Sequence, residues 1–220
     1  MTSRLPRLGK GKLESCSMSD FSLEALLDSR RGEDLDLWAR AINPQFVRVL
    51  RTIGFDRTWA RAEGAYLYDT DGTRYLDLLG GFGMYGVGRN NPRVRAALAE
   101  ALELETPGML AMGATLLPGL LAEALIGLAG GRIERCLFTS SGSESVESAI
   151  KLGRTATGRT RVLSADHAFH GLTLGALSAN GGREFTDRFR PLLPGFEQVP
   201  FGDLEALEEQ LRREDVALFL

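Results

Sequence analysis

From Arg135 to Leu220, short apolar runs alternate with amphipathic stretches, and this alternation limits the possible folds more than any other feature of the chain. Arg135 to Thr139 reads as a short strand leading into Ser140-Ser141-Gly142-Ser143. A helix is predicted from about Glu144 to Thr155, and Arg161 to Ala165 reads as the next strand. Asp203 is placed to cap a helix that carries Leu204, Leu207 and Leu211 on one face. Val216 to Leu220 is a continuous apolar run of the kind buried on both faces of a parallel sheet. Strand, helix, strand in this order predicts an α/β domain with a mostly parallel sheet. The 220 residues are 44% hydrophobic, enough for one sizeable core and a smaller appendage.

The first half carries a different pattern. Phe21, Leu23, Leu26 and Leu27 suggest a short helix, and Leu35 to Leu50 a second one that Asn43-Pro44 should break. Ala65–Asp69 and Arg74–Leu78 flank Thr70-Asp71-Gly72-Thr73, and Asp-Gly at the centre predicts a hairpin. A glycine-rich stretch, Gly80 to Gly88, follows. Asn91-Pro92 then opens a helix with Val94, Leu98, Ala101 and Leu102 in a stripe, and Leu117 to Leu128 forms another that Gly130-Gly131 ends. Met1 to Asp20 reads as a disordered arm.

Charge and cysteine usage exclude several classes. A formal net charge of -3 gives no overall attraction to nucleic acid or to an anionic membrane. Cys16 and Cys136 lie far apart without metal-type spacing, which leaves a reducing cytoplasm as the expected setting. The basic N-terminus lacks an apolar core of the secretory type. The most apolar stretch, Met109 to Leu128, is interrupted by Gly113, Pro118, Gly119 and Glu123, so no membrane span is expected.

Two segments carry chemistry. In Phe138 to Glu147 a strand ends, hydroxyl residues and a glycine turn the chain, and a helix begins. Free N–H groups, hydroxyls and the positive end of a helix would converge there on one point, which suits a phosphate. An ordinary serine cap with Glu144 and Glu147 in the first turns explains the same residues without a ligand. No Gly-Lys-Ser/Thr follows at P-loop spacing. His167-Ala168-Phe169-His170-Gly171 is the second segment. A flat aromatic beside a glycine can stack on a planar ring while the backbone comes close, although a loop with one packed Phe and two solvent-facing histidines would read alike. Metal binding is a poor fit, with two histidines three apart and only Asp166 as a nearby carboxylate.

Taken together and in order, these segments resemble the signature of the class III, fold-type I pyridoxal-phosphate aminotransferases. In that family a Ser-Gly-Thr-Glu turn holds the cofactor phosphate, and an aromatic-His-Gly stacks on the pyridine ring. Here they read Ser141-Gly142-Ser143-Glu144 and Phe169-His170-Gly171. Tyr75 to Gly83, followed by Gly88 and Asn91-Pro92, is similar to the family's substrate-entry segment. Leu174 to Ser178 and Pro191 to Phe196 also fit, so the resemblance covers about Ile42 to Leu220. Gly80-Gly81-Phe82-Gly83, Ser143 to Glu147 and Val199 to Gly202 bring it nearest the putrescine (diamine) aminotransferases.

The resemblance implies pyridoxal phosphate as cofactor, held by Ser141, Gly142, Ser143, Phe169, His170 and Gly171, and a substrate entry lined by Phe82, Tyr85 and Leu172. It implies an amine donor and a 2-oxo acid acceptor as substrates, and a homodimer when full length. Ser143 stands for the usual Thr and keeps the hydroxyl. Arg89 stands for a usual His, with no consequence assigned. Leu172 occupies the position where relatives acting on amino acids carry an Arg for the α-carboxylate; a leucine makes no such ion pair, which favours an amine or diamine donor.

The family's cofactor-anchoring lysine and its pyridine-nitrogen aspartate fall beyond Leu220. Lys10 and Lys12 sit in the arm, and Lys151 matches a helical lysine of the family and not its cofactor-anchoring one, and otherwise reads as a solvent-facing helix lysine. The chain therefore reads as a fragment, a truncated gene model or a degenerate copy, inactive alone. It is expected to comprise the arm (1–20), an N-terminal helical and hairpin segment of the small domain with the substrate-entry region (21–110), and the incomplete first part of the large cofactor-binding domain (111–220). An ornithine- or acetylornithine-type aminotransferase, an aminomutase or decarboxylase of the same class, and a non-catalytic fragment are the competing readings.

Overall fold

The computed structural model describes residues 21–108, 110 and 112–220. The N-terminal arm with Lys10, Lys12 and Cys16, and Met109 at the head of the apolar stretch, lie outside these. The chain divides into two units, one ending at Pro107 and the other beginning at Gly108.

In the first unit, Ser22 accepts from the Ala25 N–H and starts helix α1, Leu23–Ser29. Helix α2, Asp34–Leu37, runs into a π-helical turn, Trp38–Ile42. Asn43-Pro44 breaks this path as expected. Asn43 is extended, and its side chain accepts from Phe46 N at 3.0 Å to cap α3, Pro44–Thr52.

Three antiparallel strands follow in the order β1 (Trp59–Glu63), β2 (Tyr66–Asp69), β3 (Arg74–Leu76). The β2–β3 turn is built on Asp69. Its Oδ1 accepts from the N–H groups of Asp71 and Thr73, at 3.0 and 2.8 Å, and its Oδ2 accepts from Tyr75 Oη at 3.0 Å. Gly72 takes the left-handed conformation that the turn needs. The sequence gives no signal for strand β1, because Trp-Ala-Arg-Ala-Glu lacks apolar alternation. Its place comes from pairing with β2, where Arg61 lies 3.8 Å over the Tyr68 ring. Asn91 then caps α4, Pro92–Glu103.

The second unit opens with α5, Leu116–Leu128, ended by Gly130 and Gly131 at positive φ. The strand expected at Arg135–Thr139 does not form. A strand needs a hydrogen-bonded neighbour, and among the described residues none lies alongside this run. Helix α6, Gly142–Thr157, ends at the left-handed Gly158, and β4, Arg161–Ala165, follows. Two short helices, α7 (Leu174–Ser178) and α8 (Arg183–Thr186), precede β5 (Phe196–Val199), α9 (Leu204–Leu211) and β6 (Val216–Phe219).

The sheet is parallel throughout, in the order β5-β4-β6. Central β4 supplies the fully buried Val162 and Leu163, with Ile150 of α6 buried as well. Gly153 of α6 packs on Leu218, where a side chain at Gly153 would stand only 3.0 Å from the leucine. Burial on both faces of the last strand, expected from its sequence, holds only at Val216. Phe219 is half exposed because β6 is an outer strand with β4 as its one neighbour among the described residues.

Candidate functional site

The site is assembled where the N-terminus of α6 meets the loop after β4. Ser141 is extended, and its Oγ accepts from Glu144 N at 3.2 Å. Glu144 reaches back to accept from Ser140 N at 2.7 Å, a variant of the capping box. These bonds satisfy Glu144 and Ser140 but leave the N–H groups of Gly142 and Ser143 without an acceptor among the described residues. The space around Gly142 is open: a β-carbon built there would meet nothing within 4 Å. A ligand can therefore approach this backbone directly, along the positive end of a helix of 16 residues.

The loop is fixed against that turn. Leu172 N donates to Ser143 Oγ at 3.3 Å, and Gly171 lies against Ser143 with room for no side chain. Because the Ser141 and Ser143 hydroxyls act as acceptors in these bonds, the proton of each remains available to a ligand. Glu147, one turn further along α6, ties down the next stretch. Its Oε1 accepts from Thr173 Oγ1 at 2.7 Å, Gly175 N at 2.8 Å and Ala176 N at 3.2 Å. Burial alone would raise the Glu147 pKa, but the bonds from Thr173, Ala176 and Gly175 and the charge of Lys151 hold it below the ordinary value.

Asn180, fully buried, completes the frame. Its Oδ1 accepts from His170 N at 2.6 Å and its Nδ2 donates to Gly171 O at 2.9 Å. Gln198 of β5 donates to the Asn180 carbonyl at 2.6 Å. Asn180 and the bonds made by Glu147 escaped sequence reasoning. Asn180 precedes two glycines at a helix end, so local chemistry already explained it. In the sequence Glu147 stands out only as an acid near the start of a helix.

The predicted cofactor residues thus fall into one cluster, apart from the Phe169 side chain. Phe169 and Phe185 form a T-shaped pair, centroids 5.1 Å apart, and Phe169 stays 57% exposed, so it is not a core aromatic. His170 is held by its backbone. Its Nε2 is buried without a partner among the described residues, and burial pushes the imidazole pKa down, which favours the neutral ring. Leu172 is 63% exposed beside the turn. Phe82 and Tyr85 belong to the first unit, both exposed on the Gly80–Val87 segment.

A separate cavity of about 570 Å³ opens at the C-terminal ends of β4, β5 and β6. Its walls, which include Val199, Phe201, Leu204 and Phe219, are mainly apolar, and none of the predicted cofactor residues lines it. The turn carries the polar chemistry. No group of three His, Cys, Asp or Glu among the described residues could hold a metal ion, and no helix there is long and apolar enough to cross a membrane.

Comparison with known proteins gives concordant matches. Residues 53–218 match the family described as aminotransferase class-III. The chain is 38% identical over 192 residues to putrescine aminotransferase of Pectobacterium atrosepticum, covering 82% of this chain and 40% of that protein. It is 34% identical over 194 residues to aminotransferase PigE of a Serratia species, covering 88% of this chain and 23% of the relative. Ornithine aminotransferase of Toxoplasma gondii, whose structure carries pyridoxal phosphate at partial occupancy in its active site, superposes with a TM-score of 0.73 at 26% identity. That superposition covers 90% of this chain and 47% of the other. The chain spans less than half the length of each of these relatives.

Proposed function

Because the chain belongs to the class III aminotransferases, we propose that the complete protein moves a terminal amino group from a diamine or ω-amino compound to a 2-oxo acid. The observation that carries the cofactor assignment is the turn at Ser141–Ser143. Two backbone N–H groups lack acceptors among the described residues, two hydroxyls have protons to give, and the space beside Gly142 is open.

These features fit the phosphate of pyridoxal phosphate. Gly142 and Ser143 would donate their N–H groups to it, and Ser141 and Ser143 their hydroxyls, at a helix end that favours an anion. Phe169 offers an exposed aromatic ring for the pyridine to stack on, and His170 Nε2 is a buried polar atom without a partner among the described residues. When bound, the cofactor supplies an electron-withdrawing ring that stabilises negative charge on the carbon losing its proton. The chain's own residues bind and orient. Asn180 and Glu147 fix the loop, and Gly171 allows its close approach to α6.

The donor assignment rests on Leu172 and on the similarity to a putrescine aminotransferase. An exposed leucine at this position offers an α-carboxylate no charge, while the methylenes of a diamine gain by contact with it. A homodimer is part of the same reading. Leu116, Leu117 and Leu128 of α5 are exposed, and such apolar surface suits cover by a second subunit. Steady-state rates of the full-length protein with a short diamine, an ω-amino acid and ornithine, each with a 2-oxo acid, test the proposal. Faster turnover of ornithine, whose α-carboxylate Leu172 cannot pair, than of the diamine or the ω-amino acid would overturn the donor class. Amine rearrangement or decarboxylation without transfer would overturn the reaction type.

A further inference from the structure

The segment from Asp77 to Arg89 is closed at its base by an ion pair. Arg89 Nε donates to Asp77 Oδ2 at 2.7 Å, with the Asp77 and Arg89 side chains 8% and 22% exposed. The other carboxylate oxygen accepts from Gly80 N at 3.0 Å. Both ends are also sewn to adjacent residues of the preceding hairpin. Asp77 N donates to Ala65 O at 2.8 Å, while Arg89 and Gly64 exchange backbone bonds at 2.8 and 2.9 Å. Gly88 presses on Gly64, where an added β-carbon would lie 3.0 Å from the Gly64 Cα. The Arg89 guanidinium lies 4.0 Å from the centroid of the Tyr85 ring.

What this base supports does not hold itself. Gly80, Gly81, Phe82 and Gly83 form a left-handed run, with φ of 53°, 60°, 55° and 93°. Phe82 is the one member with a side chain, and an L-residue is disfavoured there. Its ring is 88% exposed, so packing does not fix it either. Inside the loop, bonds such as Phe82 N to Leu79 O at 2.9 Å and Tyr85 N to Gly80 O at 3.1 Å are local. A strained, exposed aromatic persists only when its surroundings over-determine the backbone.

We propose that Arg89 is a positioning residue: by pinning the Asp77–Arg89 base and bracing the Tyr85 ring it holds Phe82 and Tyr85 in place for the amine donor, an inference that rests on reading this segment as the substrate entry. Arg89 is suited to both tasks, since a guanidinium pairs with a carboxylate while its plane stacks on an aromatic face. A lysine would retain the charge and lose the plane. Arg89 acts through the loop and is not itself a group that touches the reacting atoms.

The test uses the full-length protein with Arg89→Ala, Arg89→Lys and Asp77→Asn, read by donor kinetics, by cofactor titration and by chymotrypsin cleavage after Phe82 and Tyr85. With Arg89→Ala the donor KM should rise about tenfold, the size of one lost charge-assisted contact, with kcat falling less and cofactor affinity retained. Cleavage should accelerate in parallel, and Arg89→Lys should fall between wild type and alanine. Combining Arg89→Ala with Asp77→Asn should be no worse than Arg89→Ala alone, because Asp77→Asn removes only the ion pair that Arg89→Ala has already removed. Unchanged cleavage in Arg89→Ala, or additive effects in the double variant, would overturn the clamp. If the wild-type protein transfers no amine, the functional reading fails, while the cleavage series still decides whether Arg89 holds the loop.

Discussion

Gly171 lies so close to Ser143 that a β-carbon at Gly171 would stand 2.9 Å from the serine Cβ and 3.1 Å from its Cα. The two residues come from the loop after β4 and the first turn of α6, and their contact sets the spacing between the Ser141–Ser143 turn and the Phe169 loop. Rotating the Ser143 hydroxyl away would not relieve the clash, because Cα and Cβ cannot move independently of the helix. Gly171 also has a φ of 129°, which side-chain-bearing residues rarely adopt.

Gly171→Ala should therefore destabilise the fold by roughly 1–3 kcal/mol and weaken cofactor binding. Urea unfolding and a cofactor titration by visible absorbance check the two effects. Wild-type behaviour in both would mean that the loop can retreat from α6 without cost.

At Gly142 the geometry differs, and so does the expectation. Its surroundings are open and its φ is not positive, so Gly142→Val should fold. The valine would instead stand on the proposed path of the phosphate, costing roughly 1.5–3 kcal/mol for each charge-assisted bond lost. Cofactor affinity equal to wild type in that variant would place the phosphate elsewhere.

Much of this site could be read from the residues alone, and what could not has a physical pattern. Ser141, Gly142 and Ser143 announce a helix start through local chemistry, so the turn was legible. Asn91-Pro92, Asp203 and the Asp71-Gly72 turn were legible for the same reason. Strand β1 and the failure of Arg135–Thr139 to form a strand depend on partners distant in sequence, and neither composition nor periodicity reports a partner. Asn180 illustrates the limit most sharply. It bonds His170 and Gly171, about ten residues away, through a side chain whose local position suggests only a helix end.

The Glu147 carboxylate gives a pH-dependent prediction. Its folded-state pKa lies below the ordinary glutamate value because Thr173, Ala176, Gly175 and Lys151 outweigh the opposing effect of burial. The sign follows from linkage: the stabilisation is fully present above the unfolded pKa of about 4.3 and is lost as pH falls through the lower folded value. Glu147→Gln should lower stability near neutral pH by roughly 1.5–3 kcal/mol, the scale of a hydrogen bond to a charged group. The gap between variant and wild type should then narrow as pH drops below about 4.3. Chemical denaturation of both proteins across acidic pH measures it. A gap that stays constant would show that the Glu147 charge does not hold α7.

For Phe169 the structure shows a T-shaped contact with Phe185 and more than half of the side chain exposed. Phe169→Ala should cost about 1 kcal/mol of cofactor affinity beyond lost contact area, while Phe169→Tyr keeps the face and should be mild. Should the alanine and tyrosine variants titrate alike, pairing with Phe185 would be the whole role of the ring.

The donor assignment turns on one side chain. Leu172 is 63% exposed, so its replacement disturbs no core, while its backbone N–H keeps the bond to Ser143 whatever the side chain. Leu172→Arg should thus leave the turn intact and add a planar, charged fork able to grip a carboxylate. The wild-type full-length protein is expected to favour diamines over ornithine-type donors in kcat/KM. The arginine variant should move that ratio towards the amino acid by roughly 5- to 30-fold, equivalent to one or two kcal/mol. Cofactor affinity, measured alongside, should be unchanged and so separates a shift in specificity from damage to the site. If the wild type already prefers α-amino acids and Leu172→Arg does not alter the preference, this position does not select the donor and the diamine reading is wrong.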